Sequence, residues 1–417
     1  MKHRMGWRML AVFVFAVLVR LAFAAHSGGL ALRVDQLDAD SPSYFELGSR
    51  LAEHGDFMST DWNREPVGPR DVQPTALRAP LWPVVQAIPY SIFGATPTAG
   101  RILNIGLDSL ACALLVAAGA RLHSVRAGVL AGTAGALWPQ FIASTRQVMS
   151  DSLFTLLVVI LLIVLDRHRE HSSVRSGIEI GLVLGLITLA RPNGFAVACA
   201  IFLWLGWRAW RRGATARPLL AVGLTAAILV IPYVGYASAR FKSFVPVTTE
   251  FGVVVGGVFT DNTVNRHHPT WGWWDVGPVD AARLASHGDI EWSEKATRAA
   301  TDWIGVHPRG SVRVLAYHVL RYFDLYWEIG ARQQTLITDP GRLLTVGTPI
   351  AWWLTAVLAA FGLRRVVRAR DTIRWEPTFV LFVTFMVSGL LVLAGSRYRM
   401  PAEPGVILLA ATMVASL

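Results

Sequence analysis

Long apolar segments recur along almost the whole chain, and they constrain its fold more than any other feature of the sequence. A helix needs about 20 mostly apolar residues to cross a bilayer, or about 17 at the short end. Ten segments meet or approach this requirement: 9–25, 102–120, 127–144, 148–165, 176–191, 194–208, 218–237, 343–363, 376–394 and 401–417. Because lipid cannot satisfy backbone N–H and C=O groups, such segments are expected to be helices. The sequence therefore predicts an all-α polytopic membrane protein with about ten transmembrane helices.

The placement of the arginines supports this count of spans. Only 16% of the 417 residues are charged, against about 25% in soluble domains, and Lys plus Arg exceed Asp plus Glu by 39 to 28. With ten spans and a cytoplasmic N-terminus, the short basic loops all fall on the cytoplasmic side, as is typical of membrane proteins: 121–126, 167–175, 208–217 and 364–374. Topology in an inner or plasma membrane explains the positive charge, and we expect no nucleic-acid partner.

Residues 80–94 are apolar but are not counted as a span. The segment is short and contains Pro80, Pro83 and Pro89. Counting it as a crossing would place the loop 121–126 outside and reverse every later loop, against the positive-inside trend. We interpret the segment as interfacial or re-entrant on the outer face.

Two polar segments are too long to be turns: residues 26–79 and residues 238–342. Both fall on the extracytoplasmic side, opposite the arginine-rich loops, so any chemistry is expected there. The chain as a whole, 1–417, is predicted to be a single transmembrane domain that carries these two loops.

The first outer loop is acidic, and Asp38 and Asp40 lie just before a helix start. Ser41 as N-cap and Pro42 at the first helical position predict a helix over residues 42–54. We expect this helix to lie on the membrane surface and to hold both carboxylates at the bilayer boundary. A carboxylate placed there can accept a proton from an attacking hydroxyl, although acids that are simply solvated in a loop have the same sequence pattern.

Two further acids fall at or within predicted spans. Asp151 follows Ser150 at the outer end of the fourth span, and Asp108 lies within the second span, one turn after Asn104. Acids at membrane depth are costly and by default mark a cavity or a partner. Asp151 is therefore a candidate site residue, with a plain helix N-cap as the alternative.

The run Arg397-Tyr398-Arg399 falls on the outer side between the last two spans, against the positive-inside trend. Guanidinium groups at headgroup level can clamp a phosphate and stabilise it as a leaving group. Binding of ordinary phospholipid headgroups is the alternative. The same two interpretations apply to three more arginines at the outer boundary: Arg20, Arg78 and Arg191.

The second outer loop places acids and amides, such as Asp261 and Asn262, close to the aromatic run 271–274. These residue types suit carbohydrate binding, and they suit an aromatic membrane belt as well. His267 and His268 are adjacent and would point apart, so we expect no metal site there. We assign no metal and no other cofactor from the sequence.

Eight short motifs occur in order along the chain: Asp40-Ser-x-x-Tyr44, Arg78-Ala-Pro80-Leu-Trp-Pro83, Arg101-Ile-Leu-Asn104, Trp138-Pro139, Ser150-Asp151-Ser-Leu-Phe154, Gly185-Leu-x-x-Leu-Ala-Arg191-Pro192, Asp302-Trp-Ile-x-x-His307-Pro308 and Arg397-Tyr398-Arg399-Met-Pro401-x-x-Pro404. Together they resemble the GT-C class of membrane glycosyltransferases. The resemblance is to the branch related to protein O-mannosyltransferases and aminoarabinose transferases, and it covers almost the whole chain.

This resemblance implies transfer of a sugar from a polyprenyl-phosphate carrier to a glycan, lipid or protein acceptor on the outer side, with inversion at the anomeric carbon. It implies that Asp40 is the general base and that Asp38 and Asp151 support it. The predicted substrate-binding set is Tyr44, Arg78, Arg397, Tyr398 and Arg399. The family often shows two adjacent acids, whereas Ala39 separates Asp38 from Asp40, so the choice between these two remains open.

Two other functions fit a chain with many spans and charges at membrane depth. One is a transporter or flippase of a lipid-linked glycan, although no internal repeat of the kind found in transporters is visible. The other is a glycan ligase or polymerase that relies on outer arginines and histidines without a carboxylate base.

Overall fold

The computed structural model describes residues 2–59, 72–265, 267–268, 271–325 and 341–417. Up to residue 241 the elements are α1 (Lys2–His26), α2 (Ser41–His54), β1 (Met58–Ser59), β2 (Gln73–Pro74), α3 (Leu81–Phe93), α4 (Pro97–Leu122), α5 (Val125–Ala136), α6 (Pro139–Ser144), α7 (Asp151–Glu170), α8 (Val174–Ala190), α9 (Gly194–Arg211) and α10 (Arg217–Phe241). The later elements are α11 (Glu250–Val258), α12 (Asp261–Val264), α13 (Val276–Leu284), α14 (Asp289–Val306), α15 (Pro308–Tyr322), α16 (Gly341–Arg368), α17 (Thr372–Leu391), α18 (Ser396–Arg399) and α19 (Glu403–Val414). Two short 3₁₀ helices cover Val34–Gln36 and Met400–Ala402.

The predicted all-α architecture is confirmed. Strand structure in the described residues is limited to β1 and β2, which pair antiparallel with Met58 opposite Pro74. Five helical segments of the described chain are long and apolar enough to cross a membrane: Arg4–His26, Pro97–Leu122, Arg217–Phe241, Val346–Arg368 and Thr372–Leu391. The count of ten spans stays a prediction.

The predicted span over residues 127–144 is not one helix. It divides into α5 and α6 at Leu137 and Trp138, and Trp138 is extended at φ −69° and ψ 118°. The cause is Pro139, because a proline ring disfavours the α conformation of the residue before it. The last predicted span is also short, since its regular helix, α19, covers only Glu403–Val414.

Glycines allow the helices at the centre of the fold to pack closely. α4 contacts α1, α5 and α7, and α8 contacts α10. A Cβ on Gly119 of α4 would lie 2.6 Å from the Cα of Gly128 in α5, and a Cβ on Gly128 would overlap the carbonyl oxygen of Val116. Small residues at such crossings are the usual way for membrane helices to approach each other.

Helix α2 begins one residue earlier than predicted, at Ser41, and ends at His54 before Gly55, which is left-handed at φ +68°. Its buried face packs against α3, where Gly48 lies against Gln86 and Tyr90. α3 has 13 residues, which corresponds to about 20 Å, less than the roughly 30 Å hydrocarbon core. This length agrees with the exclusion of residues 80–94 from the spans.

Candidate carboxylate and arginine site

Asp40 lies at the N-cap of α2, but its carboxylate does not cap the helix. Instead it accepts hydrogen bonds from Arg78 Nη2 and Arg397 Nη2, one on each carboxylate oxygen and each at 2.8 Å. The predicted N-cap at Ser41 is therefore wrong by one residue. Ser41 is itself the first residue of the helix. Asp40, the N-cap residue, makes no capping bond because two charged donors outcompete the backbone N–H groups for its carboxylate.

Arg78 precedes α3 and contacts a second carboxylate, that of Glu250 at the start of α11. Its Nε donates to Ser43 Oγ at 3.3 Å, and its guanidinium lies 5.4 Å from the ring centroid of Tyr44. Ser43 and Tyr44 belong to the first turn of α2, so this arginine joins three segments that are far apart in sequence.

Asp151 is the first residue of α7 and is buried. Its carboxylate is paired with Arg191, the residue that ends α8, and with Arg397 at 3.2 Å. Ser150, at the N-cap of α7, makes no side-chain capping bond. The carboxylate of Asp151 is therefore engaged with arginines and does not act as the plain helix cap that we considered as an alternative.

These contacts define a carboxylate–arginine cluster whose members are Asp40, Asp151, Glu250, Arg78, Arg191 and Arg397. Three carboxylates balance three guanidinium groups, and all six side chains are largely withdrawn from solvent. Buried charges persist only when they are paired and hydrogen-bonded. An anion that enters this cluster would compete with these carboxylates for the arginines.

The cluster sets opposite pKa shifts on its two outer-loop acids. Burial raises the pKa of Asp40, but the charges of Arg78 and Arg397 outweigh burial and hold that pKa well below its usual range. Burial raises the pKa of Glu250 above its usual value despite the neighbouring Arg78. Asp40 is therefore ionised at neutral pH, and Glu250 is the acid that takes up a proton more readily.

Aromatic side chains line the cluster. The Tyr44 hydroxyl lies 3.3 Å from Ser150 Oγ, and burial raises its pKa to about 12, so this phenol stays protonated. The Tyr398 ring lies 5.9 Å from the guanidinium carbons of both Arg191 and Arg397. On its other side the Tyr398 ring is 6.1 Å from that of Trp273, which belongs to the second outer loop.

Asp38 lies beside the cluster and shapes the turn that leads into it. Its carboxylate accepts the Ala39 backbone N–H at 2.7 Å, and its own backbone N–H donates to Gln147 Oε1 at 3.3 Å. Ala39 is left-handed at φ +53°, an unusual conformation for alanine. Asp40 thus contacts two arginines, and Asp38 holds the turn that leads to it.

Arg399, predicted to bind substrate, is placed in a different and fully buried network. Its guanidinium donates to Asp324 at 2.7 Å and to Glu403 at 2.9 Å, and it lies 3.9 Å from the ring centroid of Trp352. It also donates to the backbone carbonyl of Tyr322. These partners occupy the side chain, so Arg399 anchors α18 and α19 and does not face the cluster.

Arg20 and Asp108 also lie away from the cluster. They form a buried ion pair between α1 and α4, and Arg20 donates to the backbone oxygens of Ala16 and Ala136 at 3.0 and 3.1 Å. Arg20 therefore lies within the helix bundle and not at its outer boundary. Asp108 serves as its counter-ion.

Sequence reasoning missed Glu250. The only local signal was a single acid at the start of a short apolar helix, after the polar pair Thr248 and Thr249. Arg191 was noted only as one of several outer arginines. No group of three or more His, Cys, Asp or Glu in the described chain is arranged to hold a metal ion.

Comparisons with known proteins bear on this geometry. Residues 77–236 match the family model described as dolichyl-phosphate-mannose-protein mannosyltransferase, a stretch that includes Arg78, Asp151 and Arg191. A search of curated proteins finds no significant match.

Solved structures match almost the full chain. The archaeal oligosaccharyltransferase AglB from Archaeoglobus fulgidus, in complex with an inhibitory peptide and a dolichol-phosphate, is 13% identical with a TM-score of 0.57 over 98% of this chain and 50% of its own. The same organism's enzyme tethered to an acceptor peptide is 14% identical, with a TM-score of 0.57 over 97% of this chain and 49% of its own. This chain has the GT-C fold.

The chain spans about half the length of these oligosaccharyltransferases. ArnT from Cupriavidus metallidurans bound to undecaprenyl phosphate is 14% identical, with a TM-score of 0.46 over 98% of this chain and 77% of its own. The oligosaccharyltransferase matches confirm, at the level of the fold, the resemblance to GT-C class membrane glycosyltransferases that the ordered motifs predicted.

Proposed function

We propose that this protein is an integral membrane glycosyltransferase that moves a sugar from a polyprenyl-phosphate carrier to an acceptor hydroxyl. One observation carries the proposal: a carboxylate, Asp40, is held between two arginines at the outer end of the apolar bundle, next to the Asp151 and Arg191 pair. Transfer from a lipid phosphate needs both a base for the acceptor and cations for the leaving phosphate.

The carrier class is supported from two sides. The description of the matched family model names a dolichyl-phosphate sugar donor. AglB, which has the same fold, was solved in complex with a dolichol-phosphate. Within this chain the arginines of the cluster lie where apolar helices end, so the prenyl tail of such a carrier can stay in lipid while its phosphate reaches Arg397. Guanidinium groups match phosphate oxygens with paired hydrogen bonds.

The proposed step is a displacement at the anomeric carbon. The acceptor oxygen bonds to that carbon while its proton goes to Asp40. The bond between the carbon and the phosphate oxygen breaks, and its electron pair stays on the polyprenyl phosphate. The carrier gains one negative charge, which Arg397 and Arg191 stabilise, and attack opposite the leaving phosphate inverts the anomeric carbon.

Asp40 becomes basic enough when it loses one of its two arginine partners. With two guanidinium partners its pKa is too low for an efficient base. A donor phosphate that draws Arg397 away removes one of these partners and raises the pKa of Asp40. Donor binding therefore activates the base, while Tyr44 and Tyr398 enclose the reacting groups. Asp151 keeps Arg191 in place.

Side-chain contacts favour Asp40 over Asp38 as the base, and they give Arg399 a positioning role in place of phosphate binding. We infer an extracytoplasmic site, and the positive-inside trend supports this, because the arginine-rich loops are predicted on the opposite membrane face. The acceptor remains a glycan, a lipid or a protein hydroxyl.

The test follows label out of the lipid fraction in membranes whose polyprenyl-phosphate sugars are radiolabelled. Wild type is compared with Asp40→Asn, Arg397→Ala and the matched control Asp35→Asn, which alters an exposed acid of the same loop paired only with Arg33 among the described residues. We expect transfer by wild type and Asp35→Asn and its loss in the other two at equal expression. Label that crosses the membrane yet stays on the carrier in every protein would instead identify a flippase.

A further inference from the structure

A cavity of about 100 Å³ lies at the opposite end of the helix bundle from the carboxylate–arginine cluster. Its wall includes Leu165 and Arg169 of α7, and α7 begins at Asp151 in the cluster. At 1.5 Å per helical residue, these wall residues are about 20 to 27 Å along the helix from Asp151. The cavity is therefore at the other membrane face.

The cavity has a basic rim. His168, Arg169, Arg208 and Arg212 line it, and the lining contains no carboxylate. Arg208 is buried and donates to Glu376 at 2.5 Å, while Arg169 contacts Asp166 at 3.2 Å. Among the described residues Arg212 has no carboxylate partner, so its full charge is available to a ligand.

The floor of the same cavity is apolar. It is formed by Leu165, Leu205, Leu219 and Val222, with Trp204 at the side. The Trp204 ring lies 5.1 Å from the guanidinium carbon of Arg208 and links the floor to the rim. A charged rim above an apolar floor suits a ligand with an anionic head and a hydrocarbon tail.

Backbone groups add to the positive potential. Thr215 and Pro218, at the start of α10, line the cavity, and the methyl side chain of the N-cap residue Ala216 cannot accept a hydrogen bond from the first N–H groups of this helix. Helix N-termini attract anions because these N–H groups and the helix dipole point the same way. The left-handed Gly213, at φ +58°, lies in the short connection between α9 and α10, and Arg212 lines the same cavity as the start of α10.

We propose that this cavity binds the phosphate headgroup of an anionic membrane lipid, with the first part of an acyl chain along its apolar floor. Basic pockets between membrane helices are suited to such headgroups. The volume is several times what one ordered water needs, which accommodates a phosphate group. The site is independent of the proposed transfer reaction and is separated from it by the length of α7.

The test uses the full chain reconstituted in phosphatidylcholine bilayers that contain a small fraction of photoreactive phosphatidylglycerol. Cross-linked peptides are mapped by mass spectrometry, and the yield on residues 204–219 is measured. Arg212→Gln removes the free cation of the rim, and Ala209→Leu fills the cavity without changing charge. The matched control is Arg211→Gln, the adjacent exposed arginine, whose guanidinium lies against Trp207 and does not line the cavity.

We expect Arg212→Gln to lower the cross-linking yield about fivefold, the effect of one basic residue close to an anionic lipid. Ala209→Leu should lower it at least as much, and Arg211→Gln should leave it within twofold of wild type. Equal losses in Arg211→Gln and Arg212→Gln would overturn the proposal in favour of diffuse surface charge. Unchanged yield in Ala209→Leu would also overturn it, since the headgroup would then lie outside the cavity.

A competition measurement distinguishes a bound lipid headgroup from a soluble anion in the cavity. Inorganic phosphate is added at constant ionic strength, with chloride as the reference salt. We expect little competition, because the apolar floor contributes only to a ligand with a tail. Full displacement by inorganic phosphate would assign the cavity to a soluble phosphate instead.

Discussion

Replacing Asp40 by Asn should slow transfer while tightening donor binding, two effects that a simple loss of folding does not combine. The substitution keeps the shape of the side chain but removes one negative charge from the carboxylate–arginine cluster. Loss of a general base lowers kcat by about 10² to 10⁴-fold. The structure supplies the second effect, because Asp40 holds Arg397 at 2.8 Å and so competes with an incoming phosphate.

The size of that competition follows from the geometry. A phosphate in contact with Arg397 would lie about 6 Å from the Asp40 carboxylate, across one guanidinium, and their repulsion at an effective dielectric of about 20 is about 3 kcal/mol. Removing it corresponds to donor binding that is about a hundredfold tighter. Arg397→Gln should have the opposite effect on affinity, because it removes the cation that the phosphate contacts.

The affinity is measured by titrating purified protein in nanodiscs with a fluorescent polyprenyl phosphate. The kcat is measured in parallel from the rate of sugar transfer at saturating donor. Asp35→Asn is the control, since it removes a charge from the same loop outside the cluster. Donor affinity that falls in Asp40→Asn, in parallel with kcat, would refute the reasoning and make Asp40 a structural partner of the arginines. Retained kcat would refute its role as the base.

Three further predictions concern Glu250, Arg399 and Gly128. Protonation of Glu250 breaks its ion pair with Arg78, and the pKa of Glu250 is raised above its usual value. Activity should fall as the pH drops through this pKa, and Glu250→Gln should abolish the acid limb of the pH–rate profile. An unchanged acid limb in this variant would assign the limb to another group. Arg399→Met should cost about 3 to 5 kcal/mol in denaturant unfolding, because it leaves the buried Glu403 unpaired; a loss below 1 kcal/mol would contradict the buried network. Gly128→Ala should cost about 1 to 3 kcal/mol in the same measurement, since its methyl would overlap α4; a neutral result would show that α4 and α5 can separate.

Local sequence was enough to predict the membrane character and most helix positions. Apolar length, proline and the basic loops are read from continuous stretches of about 20 residues or fewer, so their signals survive without knowledge of the packing partners. Helix α2 was predicted within one residue, and Pro139 carried the signal for the break that the prediction overlooked. Asp151 was selected because acids at membrane depth are costly. Asp40 was selected because it precedes a helix start in the acidic first loop, and Arg397 because it runs against the positive-inside trend.

Tertiary structure decided which of these charges meet. Asp40 and Arg397 belong to opposite ends of the chain, and no local pattern sets the packing that brings them to 2.8 Å. Arg397 and Arg399 have different partners because positions two residues apart on the short helix α18 point in different directions. Arg397 points into the cluster, and Arg399 points into the buried pair with Glu403. The sequence by itself determined that this chain lies in a membrane and carries charged residues at the ends of its apolar segments, since transfer free energy is a local property. Only the tertiary structure determined the carboxylate–arginine cluster, because the pairing of buried charges depends on distances between helices.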